Sequence, residues 1–421
     1  MLQESLLHRI LNRVIVDGAI VVEYPSGRAE KYGRSSEVSD DTPNISITSN
    51  RTIRGLIANP AYAFPNEYVK GNIRISDQSL HNVIAVLFKN IDRYRASLGA
   101  RVRQGFDRFS KAIRAKNTVF RSGVNVRRHY DIDDRLYRLF LDTDMQYSCG
   151  FFENSQMSLE EAQDIKKKRI IAKLNMKSNM RILDIGCGWG GLALSIARQY
   201  PDARVVGVTL SPGQLQVARR RAMDSGLSNR VKFLLTDYRD IKDKFDRIVS
   251  VGMFEHVGLR DYLGFFKKID SLLTANGLAL LHTIGRSGVP QETNPWIRKH
   301  IFPGGYIPAL SEITPAVEKS GLITGDVEIL RLHYAQTLRH WFNRFKKNED
   351  LAQSLYGDEF CRLWSFYLAS SEQSFRYLDH VVFQIQLLKS LRSTPVVRDY
   401  MSSASDMHRP GMSEKVPSAI G

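Results

Sequence analysis

Along residues 181–197, RILDIGCGWGGLALSIA, an apolar run at Ile182, Leu183 and Ile185 is broken by Asp184 and stops at Gly186, Gly188, Gly190 and Gly191. Apolar positions resume at Leu192, Leu194, Ile196 and Ala197. This pattern predicts a strand, a tight glycine turn and a helix. A regular alternation follows, with strands over 204–210, 231–235, 245–251 and 277–284 and helices over 213–224 and 261–274. Such an order predicts an α/β fold with a doubly wound, mostly parallel sheet, which takes ligands beyond the carboxyl ends of its strands. Polar residues collect at those ends. Thr209, Ser211 and Gln214 follow the second strand, Asp237 and Tyr238 the third, and Glu255 and His256 the fourth, with His282 near the end of the fifth.

The first ninety residues have a different texture. Short alternating runs (AIVVEYP, NISITS, GNIRIS) are separated by turn clusters at PSG and NP. Leu2, Leu6, Ile10 and Leu11 space like one face of a helix. A smaller α+β domain is expected over 1–91, a basic connector over 92–130 and the main α/β domain over 131–395. Residues 396–421 lack apolar periodicity and read as a disordered tail.

Composition changes the picture in three ways. A chain of 421 residues with 43% hydrophobic and 25% charged residues suits a globular protein of two domains. No apolar run approaches the roughly 18 residues of a membrane span. The N-terminal apolar face is interrupted by Glu4, His8 and Arg9 and lacks a cleavage site, so a secretory signal is not expected. The cysteines, Cys149, Cys187 and Cys361, are few and widely separated, which argues against a disulfide framework or a zinc cluster and for a reducing cytoplasm. No metal is expected. Lys and Arg number 60 against 44 Asp and Glu, a net charge of +16, much of it within 93–138. That excess suits an anionic partner, either nucleic acid or a phospholipid surface.

Three readings fit the glycine turn. Gly186, Gly188 and Gly191 satisfy the dinucleotide pattern G-x-G-x-x-G, but the next strand ends at Thr209 and Ser211, without the acidic residue a ribose needs. Asp184, Gly186, Gly188 and Gly190 give D-x-G-x-G-x-G, the signature of a class I S-adenosylmethionine-dependent methyltransferase. The third reading is a turn that only packs strand against helix.

Seven segments in order carry a closer resemblance: YSCGFF (147–152), LDIGCGWGGLA (183–193), GVTLSPGQ (207–214), FEHVG (254–258), HTIG (282–285), WIRKHIFPGGYIP (296–308) and HYAQTLRHWFNRF (333–345). Over about 130–390 the chain resembles the cyclopropane fatty acid synthase family. The resemblance implies that S-adenosylmethionine is held by Tyr147, Ser148, Gly186, Gly188, Thr209, Leu210, Ser211 and Gln214, with Asp237 and Tyr238 beside the adenine. It also implies a bicarbonate ion held by Cys149, Glu255, His282, Tyr334 and the backbone of Ile284. In this chemistry an alkene attacks the sulfonium methyl group, and a base then takes one proton from the added carbon so that a ring closes. Glu255 is expected either to accept the proton of the bicarbonate or to hold His282. Each of these side chains also has an ordinary structural role open to it: Cys149 and His282 as core residues, Tyr334 packing with Leu338 and Trp341, and Glu255 capping a helix.

Many members of the family carry a cysteine in Y-L-x-x-C-x-x-x-F-R. Here Ser371 stands in that place, within Tyr367 to Arg376, and the chemistry above needs no thiol nucleophile. The resemblance implies a phospholipid substrate with unsaturated acyl chains, a peripheral position on the anionic inner face of the cell membrane and a homodimer. Trp296, Phe302 and Tyr306 beside Arg298, Lys299 and His300, the helix 333–346 and the N-terminal domain over 1–91 are expected to face lipid and gather phospholipid. The alternatives are methyl transfer without ring closure, a nucleic-acid methyltransferase and a non-catalytic lipid carrier. Against nucleic acid, FEHVG stands where amino methyltransferases place an N-P-P-Y-type loop, and no RNA-binding module precedes the core.

Overall fold

The computed structural model describes residues 2–34, 42–76, 79–96 and 134–401. The expected connector lies outside the described residues from 97 onward, and the expected tail from 402 onward. Four short strands, β1 Gly18–Glu23, β2 Ala29–Arg34, β3 Asn44–Ile47 and β4 Ile73–Arg74, form a small sheet in the order β2-β1-β3-β4. The sequence pattern did not show β2. Its AEKYGR run buries only Tyr32, and its pairing comes from a hairpin turn in which Tyr24 N–H reaches Arg28 O at 2.8 Å. Helices Pro60–Val69 and Leu80–Lys89 follow this sheet.

The main sheet has seven strands: β5 Arg181–Ile185, β6 Arg204–Thr209, β7 Val231–Leu235, β8 Phe245–Val251, β9 Leu273–Arg286, β10 Ile323–Leu330 and β11 His380–Leu388. Their order is β10-β11-β9-β8-β5-β6-β7, parallel from β9 to β7, with β11 antiparallel to both of its neighbours. This is the class I S-adenosylmethionine-dependent methyltransferase fold. Strands β5, β8, β9 and β11 are covered on both faces, so they read as nearly continuous apolar runs. The chain leaves β5 toward β6 and later returns to β8 on the other side. A crevice therefore opens at the carboxyl end of β5, where Asp184 and Gly186 lie.

The N-terminal elements pack on the long helix Asp358–Tyr377, and one apolar core runs through both, from Leu7, Ile20 and Val83 to Phe140, Trp341 and Leu368. At the contact, Glu372 is fully buried. Its carboxylate accepts from Arg339 Nε at 2.7 Å and Arg376 Nε at 2.6 Å, with His81 Nε2 at 3.1 Å.

Helix His333–Lys347 turns its aromatics inward, with Tyr334 and Leu338 facing the larger of two cavities above the main sheet. Tyr334, Leu338, Trp341, Phe342 and Phe345 are buried, and three of its cations are paired: Arg339 with Glu372, Arg344 with Glu160 and Lys346 with Glu349. Its apolar stripe fills the core against helix Asp358–Tyr377. Trp296 is likewise buried, whereas Lys299 is exposed and donates to Tyr62 Oη at 2.7 Å. At the far end, part of the segment assigned to a tail is docked. Tyr400 meets the buried Gln386 at 3.0 Å, and Arg398 pairs with Asp326.

Candidate active site

Two cavities meet above the main sheet. The smaller, about 150 Å³, lies over the carboxyl ends of β5 and β6. The larger, about 1350 Å³, runs from the edge of the smaller one to the N-terminal elements. Tyr147, Ser148, Gly252 and His256 line both.

The turn after β5 shapes the smaller cavity. Gly186 (φ +79°) and Cys187 direct their N–H groups to Val208 O at 2.9 and 3.0 Å, hooking the turn over β6. Gly188 (φ +54°) has no atom within 4 Å of the position a Cβ would take, so a ligand can lie against its backbone. Tyr147, Ser148, Asp184, Gly186, Gly188, Thr209, Leu210, Gln214, Asp237 and Tyr238 all line this cavity.

Two residues assigned to cofactor binding do not line it. Gly190 takes φ +85° and sits where a Cβ would come within 2.6 Å of the Phe233 ring, so its role is packing. Ser211 caps helix Pro212–Asp224 by accepting from Gln214 N–H at 3.3 Å, which sets the turn from which Gln214 reaches the cavity. Thr209 Oγ1 donates to Gln214 Oε1 at 3.0 Å and orients that amide.

The electrostatics favour a cationic guest. Asp184 Oδ2 is buried without a hydrogen-bond partner, and burial pushes its carboxyl up to about 7 against the pull of Lys166. Burial would also raise Asp237, but Arg239, at 2.8 Å through both Nε and Nη2, holds its carboxyl below the usual range. The sequence pattern had not singled out Arg239, Gln146 or Lys166. Lys166 is buried beneath the cavity, donates to Gln146 Oε1 and to Ser148 Oγ at 3.0 Å, and is pushed down to about 8 by burial. An unpartnered carboxylate, an open glycine backbone and the Tyr238 ring fit an adenosyl sulfonium bearing an ammonium group.

Cys149, Glu255, His282, Ile284, Tyr334 and Ser371 all line the larger cavity. Its far wall is apolar and comes from the N-terminal elements, including Leu11, Ile20, Ile45, Leu56, Phe64 and Ile84. The structure separates the two roles considered for Glu255. Its Oε1 accepts the Ile284 N–H at 2.7 Å, and its Oε2 is buried with no partner among the described residues. His282 is held instead by Gln384, whose Nε2 lies 3.1 Å from Nδ1. The backbone N–H of Ile284 is thus engaged by Glu255. Burial raises the Glu255 carboxyl, with the Ile284 N–H opposing it. Burial, with Lys166 and Lys173 nearby, pushes His282 down to about 3, so the ring is neutral.

Cys149 is fully buried, its S–H points to Gly150 O at 3.2 Å, and burial pushes the thiol well above its ordinary range. It is a protonated thiol and not a nucleophile. Tyr334 packs edge-on to Trp341, with ring centroids 5.7 Å apart, and lies 5.0 Å from Phe375. Tyr147 stacks on Trp341 at 5.1 Å and shares a 2.9 Å hydrogen bond with Tyr367. The loop carrying Tyr147 to Cys149 is fixed from behind. Gln163 Nε2 donates to Ser148 O at 2.8 Å, and Gly150 N–H donates to Thr337 Oγ1 at 3.0 Å.

Known proteins match this arrangement. A family model described as mycolic acid cyclopropane synthetase matches residues 118–385. The chain is 41% identical over 265 residues to the cyclopropane-fatty-acyl-phospholipid synthase of Escherichia coli strain K12, covering 63% of this chain and 68% of that one. It is 40% identical over 255 residues to a probable fatty acid methyltransferase of Pseudomonas putida, covering 59% and 64%. Among solved structures, the mycolic acid cyclopropane synthase CmaA1 complexed with SAH and CTAB superposes with a TM-score of 0.60 at 33% identity, covering 63% of this chain and 98% of that one. The sheet order, the glycine crevice and these matches together establish that the chain belongs to the mycolic acid cyclopropane synthetase family and is an S-adenosylmethionine-dependent C-methyltransferase.

Proposed function

We propose that the protein adds a methylene unit from S-adenosylmethionine across the double bond of unsaturated acyl chains in membrane phospholipids, giving cyclopropane chains. The observation that carries this reading is the joining of the cofactor crevice to a 1350 Å³ cavity whose far wall is apolar. An acyl chain lying there would bring its double bond to the shared wall of Tyr147, Ser148, Gly252 and His256. The alkene electron pair forms a bond to the methyl carbon while the C–S bond breaks and sulfur keeps its pair. Loss of a proton from the added carbon then lets that C–H pair close the ring. Of the side chains near the joint, His282, pushed down to about 3 by burial, is a weak base, and Cys149 is a protonated thiol.

The side chains suit a small anion that also carries an O–H. Glu255 Oε2 is an unfilled buried acceptor, and Tyr334 and the His282 ring supply N–H or O–H groups to the same cavity. A bound bicarbonate would supply the base at this place. Glu255 would accept its O–H, and His282 would orient it. An anion beside a developing cation in a dry pocket favours the transition state over the neutral alkene.

Contact with the membrane is peripheral in this reading. No described helix is long and apolar enough to cross a membrane. The excess positive charge favours an anionic surface, and Leu2 and Leu6 are exposed on the first helix. Methyl transfer without ring closure remains the second reading, favoured by the likeness to the fatty acid methyltransferase.

The test is to incubate the full chain with S-adenosylmethionine and monounsaturated phospholipid vesicles and analyse the acyl chains by gas chromatography and mass spectrometry. One added methylene with loss of the double bond is the expected result. A methyl-branched or methylene-bearing chain would establish the second reading. Unchanged lipids with the cofactor bound would overturn both.

A further inference from the structure

Three strands place a row of polar residues behind the larger cavity. His282 on β9 is register partner to Gln384 on β11, and Gln384 to Glu328 on β10. Lys173, the last residue of helix Leu159–Lys173, reaches over this row. Its Nζ donates to Gln384 Oε1 at 2.7 Å and pairs with Glu328, which Arg169 Nη2 also holds at 2.7 Å. Gln386 Nε2 donates to Lys173 O at 2.7 Å and fixes the helix end.

We infer that Lys173, acting through Gln384, holds His282 in the tautomer that carries its proton on Nε2. An amide has one accepting and one donating end. The accepting end of Gln384 is taken by the ammonium group, and a flip would set its NH2 against that ammonium. Gln384 is only 1% exposed, so water offers no alternative partner. Its Nε2 therefore donates to His282 Nδ1, at 3.1 Å. A neutral imidazole whose Nδ1 accepts has its proton on Nε2. His282 thus meets the cavity as an N–H donor and takes no proton in the reaction. Lys173 and Gln384 are positioning residues, two and one hydrogen bonds removed from the ring. The part of this inference that concerns turnover rests on the function proposed above, while the tautomer itself does not.

The test is nitrogen NMR of the full chain labelled with 15N-histidine, with His282→Asn used only to assign the signals. In the unsubstituted protein the bare ring nitrogen is expected to be Nδ1, and a proton found on Nδ1 would overturn the inference with no variant needed. Gln384→Glu offers a carboxylate to the ring and is expected to move the proton to Nδ1. With it, kcat on unsaturated phospholipid vesicles falls about 10²-fold, the scale of one lost donor at a developing charge, while KM for S-adenosylmethionine stays within about twofold. Lys173→Met is expected to give a mixture of tautomers, and Lys173→Arg to restore one. A moved proton with kcat unchanged would overturn the link to turnover. Absence of any lipid product from the unsubstituted enzyme would overturn the proposed function and leave the tautomer reading intact.

Discussion

Glu255 and Ile284 are locked together, the carboxylate Oε1 accepting the backbone N–H at 2.7 Å while Oε2 turns to a buried position without a partner. The bond fixes the side chain, and the empty acceptor gives it a task. Glu255→Gln can keep the first contact through its amide oxygen but puts an NH2 where the acceptor was. We expect the melting temperature to hold within a few degrees and cofactor affinity to be unchanged. The rate of lipid modification should fall by about 10²–10³-fold, within the range of a lost general acid–base partner. Calorimetry and a lipid product assay on one preparation check this. A variant of near-full rate would remove Glu255 from the chemistry.

Asp184 should make cofactor binding pH-dependent. Burial raises its carboxyl from 3.8 to about 7, so between these values the folded state binds more protons than the unfolded chain. Ionising Asp184 therefore opposes folding as pH rises through that window. Its charged form is also the one that pairs with a cationic amine. Affinity for S-adenosylmethionine should climb as pH passes through about 7, and Asp184→Asn should flatten that rise and weaken binding. The same substitution should raise the melting temperature of the cofactor-free protein most at pH 8, less at pH 5, and little below pH 3.8. Titration calorimetry and thermal melts at these pH values test the pair of effects, and a variant that binds like the parent at pH 8 would refute them.

Glu372 has the opposite sign. Burial raises its carboxyl, but His81 and Arg339 outweigh that and hold it at about 2, below its ordinary 4.5. Its contribution to stability is therefore present above pH 4.5 and is lost as pH falls toward 2. Glu372→Gln leaves Arg339 and Arg376 facing a neutral amide, and should destabilise the protein by about 3 kcal/mol at pH 7, the scale of a broken buried ion pair. Denaturant melts should show the gap between variant and parent narrowing below pH 4. A gap independent of pH would mean that packing, not charge, sets the effect.

The residues of the site differ in how far the sequence revealed them. Asp184 interrupts one apolar run and Glu255 follows another, and such runs are legible because central parallel strands are buried on both faces. Strand β2 was hidden because an edge strand with one buried side chain looks polar. The stripe on helix His333–Lys347 was legible as a stripe, but its spacing could not say whether protein or lipid covers it. Ser211 and Gly190 belong to the right motif, yet their work is capping and packing, which depends on Gln214 N–H and the Phe233 ring. Lys173 and Gln384 were illegible. Their alignment with His282 depends on the register between strands 102 residues apart in sequence.

Ser371 supplies the last test. It lines the larger cavity from helix Asp358–Tyr377, together with Ser370 and Ser374. Ser370 Oγ donates to Tyr367 O at 3.2 Å and Ser374 Oγ to Ser370 O at 2.9 Å, so these neighbouring hydroxyls are bound to their own helix. The chemistry derived above gives Ser371 no bond to make or break. Ser371→Ala should keep activity within about twofold, since it removes one oxygen from the wall of a roomy cavity. Ser371→Trp should fill part of that space, lowering kcat/KM for long-chain phospholipid at least tenfold while cofactor affinity stays at the parent value. If the alanine variant were inactive with its cofactor still bound, the hydroxyl would belong to the reaction. If the tryptophan variant turned over lipid normally, the acyl chain would have to lie elsewhere in the cavity.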